Sequence, residues 1–187
     1  MKTLALALTF FTFSSTAFAF MTELGLQYAR KKTTFDQNNY IESESTTGSL
    51  SIYFLERIAL ELSYTQALGN REEKASSVDP RRTSITRTTA TGADLVLVLA
   101  DKKALFQPYI KGGAARITRL QEVDIEGFGK QTLEPEDATV PSYGAGIKIP
   151  ISEALNLKLS YDVWQTPVGN GVKSDDASFR AGMSWYL

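Results

Sequence analysis

Eight ionisable side chains share the polar side of alternating stretches in this 187-residue chain: Glu23, Glu61, Asp94, Lys111, Lys148, Lys158, Asp162 and Arg180. Four are acidic and four basic, so as a set they are neutral. Carboxylates can serve as general acid and base, but only when placed around a reacting bond. Nothing in the placing of Glu23, Glu61 and Asp94 sets a pair around a substrate. The chain has no His and no Cys. Proton shuttling by imidazole, thiol chemistry, disulfides and most transition-metal sites are thereby excluded. GxSxG, HExxH, CxxC and P-loop motifs are missing too. No enzyme activity and no cofactor are expected. Such charges can instead neutralise one another in a confined space, where a lone charge is very costly and a paired one tolerable. Glu61 and Asp94 lie mid-segment on neighbouring stretches, and a basic group between them would relieve their repulsion. Glu61 and Arg180 are the members most expected in this network.

The elements that would hold these groups are strands. Side chains alternate faces along a strand with period two. In residues 21–30, Leu24, Leu26 and Tyr28 oppose Glu23, Gly25, Gln27 and Ala29. In residues 155–164, Leu155, Leu157, Leu159, Tyr161 and Val163 oppose Asn156, Lys158, Ser160, Asp162 and Trp164. The same alternation runs through residues 46–54, 58–67, 88–99, 140–149 and 176–187. In residues 105–117 the phase is open, because Phe106, Pro108 and Ile110 compete with Leu105 and Tyr109. This makes eight amphipathic segments.

Their connections alternate in length. Residues 55–57, 100–104 and 150–154 are short turns; residues 31–45, 69–86, 118–138 and 166–175 are long and polar. A meander built this way gathers its long connections at one end, as outer-membrane barrels do on the extracellular side. An even strand count returns both termini to the periplasmic end.

The N-terminus supports export. Lys2 is followed by the apolar stretch Leu4 to Phe13 and by Ala17-Phe18-Ala19, a small-x-small cleavage site. Residues 1–19 read as a Sec-type signal peptide and 20–187 as the mature domain. Cleavage removes Lys2, one of 20 basic residues, and none of the 21 acidic ones, leaving a slightly acidic chain. Nucleic acid is not expected as a partner. No later stretch is long and apolar enough for a membrane helix, so a membrane would be crossed by strands.

The fold expected is all-β: a closed eight-stranded antiparallel up-and-down transmembrane β-barrel, integral to a bacterial outer membrane. The rival is a soluble barrel or sandwich, with its apolar faces inward. The polar faces here are rich in Gly, Ala, Ser and Thr, which suit a crowded lumen better than a water-facing surface. An eight-stranded barrel has an interior just wide enough for side chains to fill it. The lumen charges then either plug the barrel or line a gated path for small solutes; a cavity for an apolar ligand is the third option. Pro108 and Pro141 offer a local break in the strand ladder, since proline donates no hydrogen bond.

Several stretches resemble the small outer-membrane β-barrels of Gram-negative bacteria, the OmpA-like, OmpX-like and OmpW-like group. They are Gln107-Pro108-Tyr109-Ile110-Lys111-Gly112-Gly113, Ser142-Tyr143-Gly144-Ala145-Gly146, Asn156-Leu157-Lys158-Leu159-Ser160-Tyr161 and the amphipathic closing strand. Members of this group usually end in Phe or Trp; this chain ends Trp185-Tyr186-Leu187. The resemblance implies outer-membrane lipid and lipopolysaccharide as surroundings. It also implies the barrel assembly machinery and periplasmic chaperones as partners during biogenesis, and a monomer as product. With Leu187 the last residue, the peptidoglycan-binding domain of longer OmpA-type chains is not expected. Lipid-A-modifying barrels rely on a catalytic His, which this chain lacks. The function expected is a non-enzymatic structural or surface-interaction role in the cell envelope, with a narrow porin-like or apolar-solute transport barrel as the alternative.

Overall fold

A computed structural model describes residues 21–34, 40–73, 80–133, 135–167 and 173–187. Residues 1–19, read from the sequence as a signal peptide, lie outside the described residues. Alternation produces strands wherever it was read: β1 (Met21–Thr34), β2 (Tyr40–Leu55), β3 (Ile58–Glu73), β4 (Arg82–Val98), β5 (Gln107–Ile125), β6 (Gly129–Thr132), β7 (Glu136–Pro150), β8 (Leu155–Pro167) and β9 (Lys173–Tyr186). All pairings are antiparallel. Eight strands close a ring in the order β1-β2-β3-β4-β5-β7-β8-β9, completed by the β1–β9 pairing. The short β6 folds back on the end of β5 and stands outside the ring.

Two expectations are corrected here. The strands continue well into the stretches read as long connections: β3 and β4 stay in register as far as Glu73↔Arg82, and β4 and β5 as far as Arg82↔Ile125. Apolar alternation fades there, but Thr83 and Thr86 are β-branched residues that favour extended backbone. The prolines do not break the β5–β7 ladder, which runs through Pro108↔Ile147 and Ala114↔Pro141. The carbonyl of Pro108 accepts from the N–H of Leu99 at 2.8 Å, so its missing N–H would have faced β4 just where that strand ends. Pro141 lies just beyond Ser142↔Trp164, where the β7–β8 ladder stops. Proline is tolerated at such ladder ends.

The outward wall is an apolar belt. Leu24, Leu26, Leu60, Leu62, Leu95 and Leu97 are exposed on it. Exposed Phe54, Phe106 and Trp185 flank one edge, and Tyr28, Tyr64, Tyr143, Tyr161 and Phe179 the other. From Phe179 to Trp185 the belt spans seven residues of β9, about 20 Å along the strand. A soluble barrel would bury these leucines; this one buries the polar face instead.

Candidate functional site: the charged lumen

The phase of β5 decides what fills the barrel. Gln107, Tyr109, Ala115 and Ile117 are buried inside, and Lys111 lies on the same face. On β7 and β8 the inward register sets Lys148 directly opposite Lys158. Like charges so paired repel, and each ammonium turns to a carboxylate carried by another strand.

Lys148 donates to Glu23 Oε2 and to the Tyr53 hydroxyl, both at 2.5 Å, and the Tyr53 hydroxyl donates to Glu23 at 2.6 Å. Lys158 donates to Glu61 Oε2 at 2.6 Å. Glu61 also accepts from Ser51 at 3.2 Å and from Lys111 at 3.0 Å. Lys111 is the hub on β5: its Nζ lies 2.9 Å from Asp162 Oδ1 and 3.8 Å from Asp94 Oδ2. It stands between the carboxylates of Glu61 and Asp94, which face each other across β3 and β4. Arg180 donates to Asp162 Oδ2 at 3.0 Å, and Ser142 to Asp94.

All eight charges singled out in the sequence therefore lie inside the barrel. Glu23 and Lys148 form one pair; Glu61, Lys158, Lys111, Asp94, Asp162 and Arg180 form a second, linked group. Ion pairs alone do not connect the two. The Tyr109 ring stands between them, with Lys148 Nζ 5.6 Å and Lys158 Nζ 5.5 Å from its centroid. The Arg180 guanidinium lies 4.6 Å from the centre of the Trp164 ring. Cations over aromatic faces gain further attraction.

Tyr53, Tyr109 and Trp164 were not singled out as members of this site. Their signal was parity: Tyr53 and Trp164 sit on the inward phase of their segments. Glycines provide the room. A Cβ on Gly146 would meet the Tyr109 ring, and one on Gly144 would meet Asp162 and Lys111.

Apolar layers lie along the lumen beside the charges. Tyr53, Ala59, Val96, Val98 and Tyr109 pack together toward the short turns, joined by Met21 and Tyr186. Ala115, Ile117 and Val140 pack toward the long hairpins, with Ala90, Ala138 and Trp164 against them. A space of about 30 Å³ bordered by Asp94, Lys111, Asp162, Trp164 and Arg180 has room for a water molecule but not for a solute. Among the described residues no group of three or more His, Cys, Asp or Glu side chains could hold a metal ion.

A closed eight-stranded barrel with a filled polar interior and an apolar belt between aromatic rings is an integral outer-membrane barrel. The chain belongs to the outer membrane protein beta-barrel domain family, whose model matches residues 3–185. Among solved structures it is similar to the N-terminal β-barrel domain of Pseudomonas aeruginosa OprF, at 16% identity and a TM-score of 0.58, over 89% of this chain and 97% of that one. It is similar to Neisserial surface protein A, at 14% identity and a TM-score of 0.55, over 90% and 96%. It is also similar to Ail, the attachment invasion locus protein of Yersinia pestis, at 16% identity and a TM-score of 0.51, over 90% and 99%. At these identities the likeness concerns the fold. No sequence match is found among curated proteins.

Proposed function

We propose that this protein is a shut barrel: a non-enzymatic element of the cell envelope that acts through its stability in the outer membrane and through the hairpins it raises above it. The observation that carries this reading is the neutral network of eight lumen charges lying beside two apolar layers. An ion crossing it would have to displace paired charges and then pass closely packed layers made mainly of aliphatic and aromatic side chains. The name of Ail refers to attachment and invasion, and a contact role for the raised hairpins here is of the same broad kind. The chain reaches its membrane by Sec-type export with residues 1–19 as the signal, is inserted with the help of the assembly machinery and chaperones, and works as a monomer.

Planar-bilayer recording of the purified barrel tests the shut lumen. No steady single-channel current is expected. Steady currents that change when Glu61 or Arg180 is neutralised would replace this reading with a narrow solute path. Proteolysis of intact cells tests the hairpins. Trypsin is expected to cut near Arg81 or Lys130, at the tips of the raised wall, and to spare Lys102 and Lys103 in the short turn. Cutting at that turn in intact cells would reverse the orientation.

A further inference from the structure

The outer wall carries a groove of about 370 Å³ across β1 to β4, lined by Tyr28, Glu44, Thr46, Gln66, Leu68 and Arg87 among others. Its volume is in the range of small-molecule sites. These groups lie outside the lumen network. Register sets their height: Tyr28 pairs with Thr46, Thr46 with Gln66, and Leu68 with Arg87. Gln66 and Leu68 come two and four residues after Tyr64 of the upper aromatic ring, about 7–13 Å further along the strand. The Gln66 amide donates to the Tyr64 hydroxyl at 3.0 Å. The groove thus opens just above the apolar belt, at the depth of lipid headgroups.

Charge singles out one residue in it. Three arginines stand on the outward face above the belt: Arg30, Arg87 and Arg116. Arg30 is paired with Glu42 and with Glu44, the latter at 3.4 Å, and Arg116 with Asp137 at 3.3 Å. Arg87 has no carboxylate partner among the described residues, and its cross-strand neighbours are Leu68 and Leu120. The acid on the groove wall, Glu44, is already answered by Arg30. A guanidinium flanked by leucines beside a headgroup layer offers a two-donor fork to an anion, and phosphate fits that fork. Around it Thr46, Gln66 and Glu44 present the hydroxyl, amide and carboxylate that sugar hydroxyls bind. Exposed Leu26 and Leu62, on the wall below, offer apolar surface to acyl chains.

We propose that this groove seats the phosphorylated sugar headgroup of an outer-leaflet glycolipid, with one phosphate on Arg87 and the acyl chains against the belt beneath. The inference rests on the placement in the outer membrane and is independent of whether the lumen conducts.

The test uses the refolded full barrel with defined lipids: diphosphorylated lipid A, the same lipid after removal of its phosphates, and phosphatidylglycerol. Retention is read by native mass spectrometry, and affinity by titration in detergent. The native barrel should retain diphosphorylated lipid A in preference to the other two, and millimolar inorganic phosphate should not displace it. Arg87→Gln should weaken that affinity about tenfold, as loss of one charge-assisted phosphate contact does. Arg116→Gln, which removes an arginine already paired, should change it less than twofold. Band-shift migration checks that each variant is folded. Equal losses in the two variants, no preference for the phosphorylated lipid, or displacement by free phosphate would each overturn the proposal.

Discussion

Replacing Glu61 by Gln is expected to destabilise the folded barrel by about 3–5 kcal/mol, the cost of breaking a buried ion pair by removing one partner. The side chain is 2% exposed and holds two ammonium groups, Lys158 at 2.6 Å and Lys111 at 3.0 Å. Without its charge, Lys158, itself 1% exposed, is left with no anion in contact. Lys111 retains Asp162 at 2.9 Å and suffers less. Asp94→Asn should cost less than Glu61→Gln, because its closest ion-pair distance is 3.8 Å. Urea unfolding of barrels refolded into lipid vesicles, followed by tryptophan fluorescence and gel migration, measures both. The double variant Glu61→Gln/Lys158→Met should recover part of the loss, since it also removes the orphaned charge. A loss below about 1 kcal/mol for Glu61→Gln would mean that water reaches the pair and that its worth is that of a surface ion pair.

The sequence was most informative where chemistry alternates sharply. Leu155 to Trp164 has one apolar and one polar phase, and both lie where parity puts them. Glu23, Glu61, Asp94, Lys158 and Asp162 were legible for the same reason, since each is an ionisable residue on the face opposite alternating leucines. In β5 parity was ambiguous, because Gln107 and Tyr109 enter the lumen beside an apolar layer while Phe106 and Ile110 face the membrane. The inner face there carries Tyr109 against an apolar layer and the outer face meets hydrocarbon, so hydropathy has little contrast to report. The raised parts of β3 and β4 were read as connections because, Ile85 apart, their residues are polar or small on both faces, and only backbone pairing reveals them as strand. Aromatic residues were divided by parity alone: Tyr53 and Tyr109 are buried inside, whereas Tyr28 and Tyr64 stand exposed on the belt edge. Ser160 shows what a one-dimensional reading cannot weigh, the room around an inward side chain. It is buried, accepts from Gln27 at 3.0 Å and donates to Asp162 at 2.8 Å. A lysine there would meet an occupied network rather than open space.

The belt itself is tested by depth along a single strand. Leu95 and Ile85 both point outward on β4, and both are apolar and exposed, at 53% and 38%. Leu95 faces Leu60 within the belt, whereas Ile85 faces Asn70, well beyond Tyr64. Leu95→Lys should therefore cost about 2–4 kcal/mol, the penalty for lysine near the bilayer midplane, and Ile85→Lys about 0–1 kcal/mol, as at or beyond the interface. The comparison holds strand, facing and side-chain chemistry nearly constant, so the difference reports the surrounding medium. Unfolding free energies in vesicles of fixed lipid composition give the two values. In detergent micelles the gap should narrow, because a micelle deforms around a charge more readily than a bilayer does. Equal costs at the two sites in vesicles would mean that the leucine belt does not meet hydrocarbon, and would contradict the membrane placement on which the lipid site at Arg87 depends.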